Sequence, residues 1–136
     1  MALDPKDILV ELNKNIYRSV YFLQGDESYY IDAITDWIDS KCLKEQDKGF
    51  NQAVLYGKDV DMATVISNAK RFPMMSERQV VIVKEAQEIK DIGKEAGAKQ
   101  LSAYIQNPLS STVLVFSHKN KTLDGRKALG KELNKA

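Results

Sequence analysis

Arg71-Phe72-Pro73-Met74-Met75-Ser76-Glu77-Arg78-Gln79 runs straight into Val80-Val81-Ile82-Val83. The apolar run is short, β-branched and uninterrupted, as a strand is when both faces are buried in the middle of a parallel sheet. What precedes it fits no core. Pro73 disfavours helix at Phe72, and the chain turns polar again at Ser76. Three large apolar side chains, Phe72, Met74 and Met75, therefore sit on a loop that enters a sheet. Such loops carry recognition residues on a rigid scaffold, and methionine adapts readily to an apolar pocket on a partner. The helical pattern before Phe72 already points inward, so Phe72 is expected to cap the core beneath the loop. Adjacent side chains of an extended segment point opposite ways. For Met74 and Met75 both placements stay open, against a partner or folded under the loop.

Outward from this stretch, short apolar runs alternate with amphipathic ones. Asp4-Pro5 opens a helix, with Asp as N-cap and Pro at the first helical position; Ile8, Leu9 and Leu12 form its stripe and Asn13-Lys14-Asn15 ends it. Val20-Tyr21-Phe22-Leu23 is the first buried strand. Gln24-Gly25-Asp26-Glu27-Ser28 is a tight turn, followed by a helix to about Cys42 with Tyr30, Ile31, Ile34, Trp37 and Ile38 at helical spacing. Lys44 to Phe50 reads as a loop, and Ala53-Val54-Leu55-Tyr56 as a second strand closed by Gly57. Asp59 or Asp61 caps the next helix, whose Met62, Val65, Ile66 and Ala69 share a face.

After Val80–Val83, Glu85 to Gly97 is charged and carries two glycines, so a mobile loop or frayed helix start is expected. Leu101, Tyr104 and Ile105 mark a helix stopped by Asn107-Pro108, and Val113-Leu114-Val115-Phe116 is the fourth strand. A basic helix is expected from near Leu123, with Arg126, Lys127, Lys131 and Lys135 gathered on one side. Its charge reads as a solvated face in preference to a phosphate contact. Strand and helix in alternation argue an α/β fold, a parallel sheet with helices on both faces. The abrupt basic end suggests a single domain, residues 1–136, cut from a longer chain.

The totals bound the function. With 136 residues, 43% hydrophobic and 29% charged, the chain is one globular domain. Its net charge of +1 provides no global field for nucleic acid. The one cysteine, Cys42, excludes an internal disulfide and a cysteine-rich zinc site, and is expected to be a packing residue. No stretch is long and apolar enough to span a membrane, and no signal peptide opens the chain, which points to the cytoplasm.

The turn after the first strand is where a phosphate loop would lie. A working loop needs G-x-x-x-x-G-K-[ST], with glycines for backbone N–H groups to wrap phosphate, lysine to neutralise it and a hydroxyl for magnesium. After Gly25 there is no second glycine. Ile31 replaces the lysine, Asp32 replaces the hydroxyl, and Asp26 and Glu27 would repel phosphate. Asp26, Glu27 and Ser28 suit a helix N-terminus instead. Lys84 stands at the end of the third strand where an aspartate would hold magnesium, and Glu85 alone makes no metal site. His118, the only histidine, has no nucleophile elbow beside it and reads as a surface residue. No catalytic residue, metal site or cofactor emerges from these patterns.

With the degraded phosphate loop and the Met74-Met75 loop in view, the chain resembles the N-terminal domain of the delta subunit of the bacterial DNA polymerase III clamp loader. The resemblance is carried by Val20 to Ser28, Arg71 to Val83 and Ser111-Thr112-Val113-Leu114-Val115-Phe116, in the family's order. It implies a P-loop/AAA+-like fold that has lost its nucleotide site, and a non-catalytic domain that binds the ring-shaped sliding clamp, the beta subunit, and helps open it for loading on DNA. Two adjacent apolar residues enter a pocket on the clamp in that family; aligned on Arg78-Gln79 they are Met74 and Met75, flanked by Phe72, Pro73 and Arg78. The family's best-known pattern has a leucine and an aromatic there, so this chain keeps size and apolarity while changing the residues. Other loader subunits would be met through helical and collar domains absent from this sequence, and DNA through the assembled complex. Two other readings of the scaffold are a diverged P-loop nucleotide-dependent enzyme and a structural domain of another AAA+-like assembly.

Overall fold

In the computed structural model, β3 (Gln79–Lys84) lies inside a parallel sheet of order β1-β4-β3-β2, with β1 at Val20–Gly25, β2 at Gln52–Tyr56 and β4 at Thr112–Lys119. The structure describes residues 5–25, 28–43, 51–73, 78–92 and 94–119. Helices α1 (Pro5–Asn13), α2 (Ser28–Lys41), α3 (Met62–Ala69) and α4 (Glu95–Gln106) cover it. All strand pairs are parallel, with Val81 opposite Leu114 and Leu114 opposite Val20.

Strand parity divides the interior into two layers. Tyr21, Leu23, Val80, Ile82, Val113 and Val115 face α1 and α2, meeting Ile8, Leu12, Ile31, Ile34 and Ile38. Val81, Val83, Leu114 and Phe116 face α3 and α4, meeting Met62, Val65, Ala69, Leu101 and Tyr104. Right-handed crossovers dictate this split. From β1 the chain travels outward past β4 and β3 to β2, then steps back through β3 to β4. Reversing the direction puts α2 on one face and α3 and α4 on the other.

Helix ends follow local chemistry. Asn15 adopts a left-handed φ of 61°. The Ile16 N–H then reaches the Glu11 carbonyl at 2.9 Å and the Asn15 N–H reaches Leu12 at 3.0 Å, a pairing that closes α1 without glycine. Asp61 is the N-cap of α3: its carboxylate accepts from the Thr64 N–H at 2.9 Å and the Thr64 hydroxyl at 2.8 Å. Those bonds hold the Asp61 carboxyl below the usual range.

The segment expected to be mobile between Glu85 and Gly97 is built into the core over its described residues. Ala86, Ile89 and Ile92 are buried in the α3–α4 layer, a 3-10 turn spans Ala86–Glu88, and the Asp91 carboxylate accepts from the Met62 N–H at 2.8 Å. Polar residues alternating with Ala86, Ile89 and Ile92 hid this in the sequence. Gly97 is required by close approach: a Cβ there would lie 2.1 Å from the Asp91 carbonyl oxygen. The helix foreseen to about Cys42 ends at Lys41. The Lys44–Phe50 loop and the basic helix from Leu123 lie outside the described residues.

Candidate partner-binding loop

Helix α3 ends at Ala69 with Lys70 as its C-cap. Pro73 disfavours further helix, which leaves the last carbonyls of α3 in need of donors. They come from ten residues on. The Gln79 side chain, 5% exposed, donates from Nε2 to the carbonyls of Asn68 at 3.1 Å, Ala69 at 3.3 Å and Arg71, and to Thr112 Oγ1 at 2.9 Å. Its two N–H groups are thus shared among several acceptors. The Thr112 hydroxyl itself donates to the Ala69 carbonyl at 2.7 Å, and the Gln79 N–H donates to the Ser111 carbonyl at 2.9 Å. This network ties α3, β3 and β4 together at the base of the loop. Neither Gln79 nor Thr112 stands out as a loop anchor in the sequence; the available signal was an amide placed directly before the apolar run Val80–Val83.

Above that base, Phe72 is 76% exposed. The expectation that it caps the core is therefore corrected. The helix stops before it, so the helical phase that would have turned it inward no longer applies. Pro73 is half-buried. Met74 and Met75, with Ser76 and Glu77, lie outside the described residues. On the returning side the Arg78 guanidinium stacks over the Tyr17 ring, 4.6 Å from its centroid. Cys42 joins the same group and packs against the α1–α2 layer. Burial pushes its thiol up, opposed by the neighbouring Arg78 charge. Burial likewise raises the Tyr17 hydroxyl, which has no hydrogen-bond partner of ordinary geometry among the described residues.

The opposite end of the sheet is where a nucleotide would sit. β1 and β4, far apart in sequence, end side by side, with Gln24 opposite His118 and Gly25 opposite Lys119. His118 is buried, 2% exposed, and its ring lies 5.4 Å from that of Phe22. The surface placement expected of it is corrected: β4 runs on past Phe116 and carries His118 inside the ladder. The Asp26–Glu27 turn lies outside the described residues. At the end of β3, Glu85 adopts a left-handed φ of 54° and its carboxylate accepts from Gln87 Nε2 at 2.7 Å. Among the described residues no group of three or more His, Cys, Asp or Glu side chains is placed to hold a metal, and no helix is long and apolar enough to cross a membrane.

A sequence model of the family described as "DNA polymerase III, delta subunit" matches residues 21–136. DNA polymerase III subunit delta of Bacillus subtilis is 33% identical over 133 residues, which cover 95% of this chain and 38% of the relative. The solved DNA clamp loader delta protein of Bacillus subtilis superposes with a TM-score of 0.81 at 30% identity, over 97% of this chain and 40% of that one. A DNA polymerase III gamma subunit-related protein from Thermotoga maritima superposes more loosely, with a TM-score of 0.49 at 14% identity over 85% of this chain and 39% of that one. The chain thus spans about two-fifths of the length of the delta relatives. A family match over most of the chain, joined to a parallel α/β sheet that superposes on a solved delta protein, makes the chain a member of the DNA polymerase III delta subunit family.

Proposed function

We propose that this chain is the clamp-contacting domain of a clamp-loader delta subunit, and that the loop from Arg71 to Arg78 is its contact. The observation that carries the reading is Phe72: a large aromatic, 76% exposed, at the start of that loop. Phe116 is fully buried and Phe22 partly so, whereas Phe72 stands in water on a loop whose base is tied down by Gln79. With Met74 and Met75 close behind it in the sequence, an exposed Phe72 would supply a contiguous apolar contact of the kind that marks a partner-binding surface. Met74 and Met75 would enter the pocket, flanked by Phe72 and Pro73. Arg78, stacked on Tyr17, would fix the returning end.

On this reading residues 1–136 are one domain of a longer protein. The sheet is of the P-loop/AAA+ type with its nucleotide function lost, the domain performs no catalysis, and it needs no cofactor. It works in the cytoplasm, binding the sliding clamp and helping open it for loading. It meets other loader subunits through the rest of the protein, and DNA through the assembled complex. Two titrations by calorimetry test the reading. The sliding clamp of the same organism should bind saturably and ATP should not. Absence of clamp binding, or saturable ATP binding at micromolar concentration, would overturn it.

A further inference from the structure

We infer that Gln79 is a positioning residue for this loop: its carboxamide sets the direction in which Phe72 and Pro73 leave the fold. The inference rests on the reading of the loop as the clamp contact.

The loop departs at Arg71 and returns at Arg78, so its geometry is decided by what holds those two points. Gln79 holds both. Its backbone is the first residue of β3, fixed through its N–H to the Ser111 carbonyl, and its side chain reaches back to the Arg71 carbonyl on the departing segment. The same amide grips Ala69 and the Thr112 hydroxyl, and Thr112 is fully buried and bonded to Ala69 in turn. One side chain thus links the end of α3, both feet of the loop and the start of β4. Phe72 lies directly after the gripped Arg71 carbonyl and, at 76% exposure, has little packing of its own to hold it. An ordered departure point lets a loop enter a pocket without the cost of fixing its own stem at the moment of binding.

The test uses the protein at its natural length and the variant Gln79→Met, close in shape but without donors. Three quantities are measured: clamp affinity by surface plasmon resonance, melting temperature, and amide exchange at Arg71, Phe72, Val81 and Val83. Affinity should fall roughly tenfold, one ~1.4 kcal/mol step. Exchange should accelerate at Arg71 and Phe72 while Val81 and Val83 keep their protection. A core variant, Val83→Ala, matched for lost melting temperature, should keep the wild-type affinity within about twofold. Should Gln79→Met not fold, Thr112→Val removes the hydroxyl partner and is read in the same way. Equal affinity for wild type and Gln79→Met, or equal losses for Gln79→Met and Val83→Ala, would overturn the inference while leaving the clamp reading intact. If the wild type itself does not bind the clamp, it is the clamp reading that fails. The exchange data still decide on Gln79: unaltered exchange at Arg71 and Phe72 overturns its positioning role.

Discussion

Replacing Phe72 with alanine separates a core aromatic from a recognition aromatic, because the two roles put its free energy in different measurements. Fully burying a phenylalanine stabilises by roughly 1.5–3 kcal/mol. Phe72 is 76% exposed, so about a quarter of that, ~0.4–0.7 kcal/mol, supports the fold. For a domain of 136 residues the melting temperature should fall by roughly 1–4 °C. Phe116→Ala is the contrast: that ring is fully buried, and its loss should cost about 3–5 kcal/mol. If the exposed part of Phe72 is buried in the clamp, the remaining ~1.1–2.3 kcal/mol appears in binding, about five- to fiftyfold in Kd. Calorimetric melting and a clamp titration on the same preparation read both quantities. A drop of ten or more degrees would show a core residue and refute the placement. An unchanged Kd would remove Phe72 from the contact.

Gly97→Ala places a methyl 2.1 Å from the Asp91 carbonyl oxygen, against backbone that cannot swing away; it should destabilise by about 3 kcal/mol, read by urea unfolding, and a change within error would mean the α4 start gives way easily. Asp61→Ala removes the α3 N-cap, so melting temperature at neutral pH should fall. The folded Asp61 carboxyl titrates below its ordinary range, so its contribution is present above the unfolded aspartate value and is lost as pH falls through the lower folded value. The gap between wild type and variant should therefore close in acid, and a gap that stays constant on acidification would contradict the capping role.

The layering of the fold was legible because strand burial is written in composition. Val80–Val83 and Val113–Phe116 have apolar residues at every position, which only a sheet covered on both faces can use. The cap of α3, which the sequence narrows to Asp59 or Asp61 and the structure places on Asp61, and the Asn107-Pro108 stop were equally local. What escaped notice depends on distance. Pro73 shows locally that no helix continues through Phe72, but nothing near Phe72 shows that an amide seven residues later ties down the freed end of α3, since the Gln79 network is assembled by β3 and β4 pairing. His118 looked exposed because the strand was ended at Phe116, and only the register with β1 reveals two further residues in the ladder before Lys119. Ile89 and Ile92 were lost among charges, although Gly97, which permits their turn to close against α4, stood in plain view. Of the site, the loop and its apolar character could be read; the exposure of Phe72 and the anchorage beneath it could not.

The proposed entry of Met74 and Met75 into the clamp is tested by Met74→Ala with Met75→Ala, with clamp affinity and melting temperature measured together on the double variant. Affinity should fall by about a hundredfold or more, from two apolar side chains withdrawn from a pocket, with the melting temperature close to that of the wild type. A variant that melts far earlier yet still binds the clamp would place the pair in the core and overturn the proposed contact.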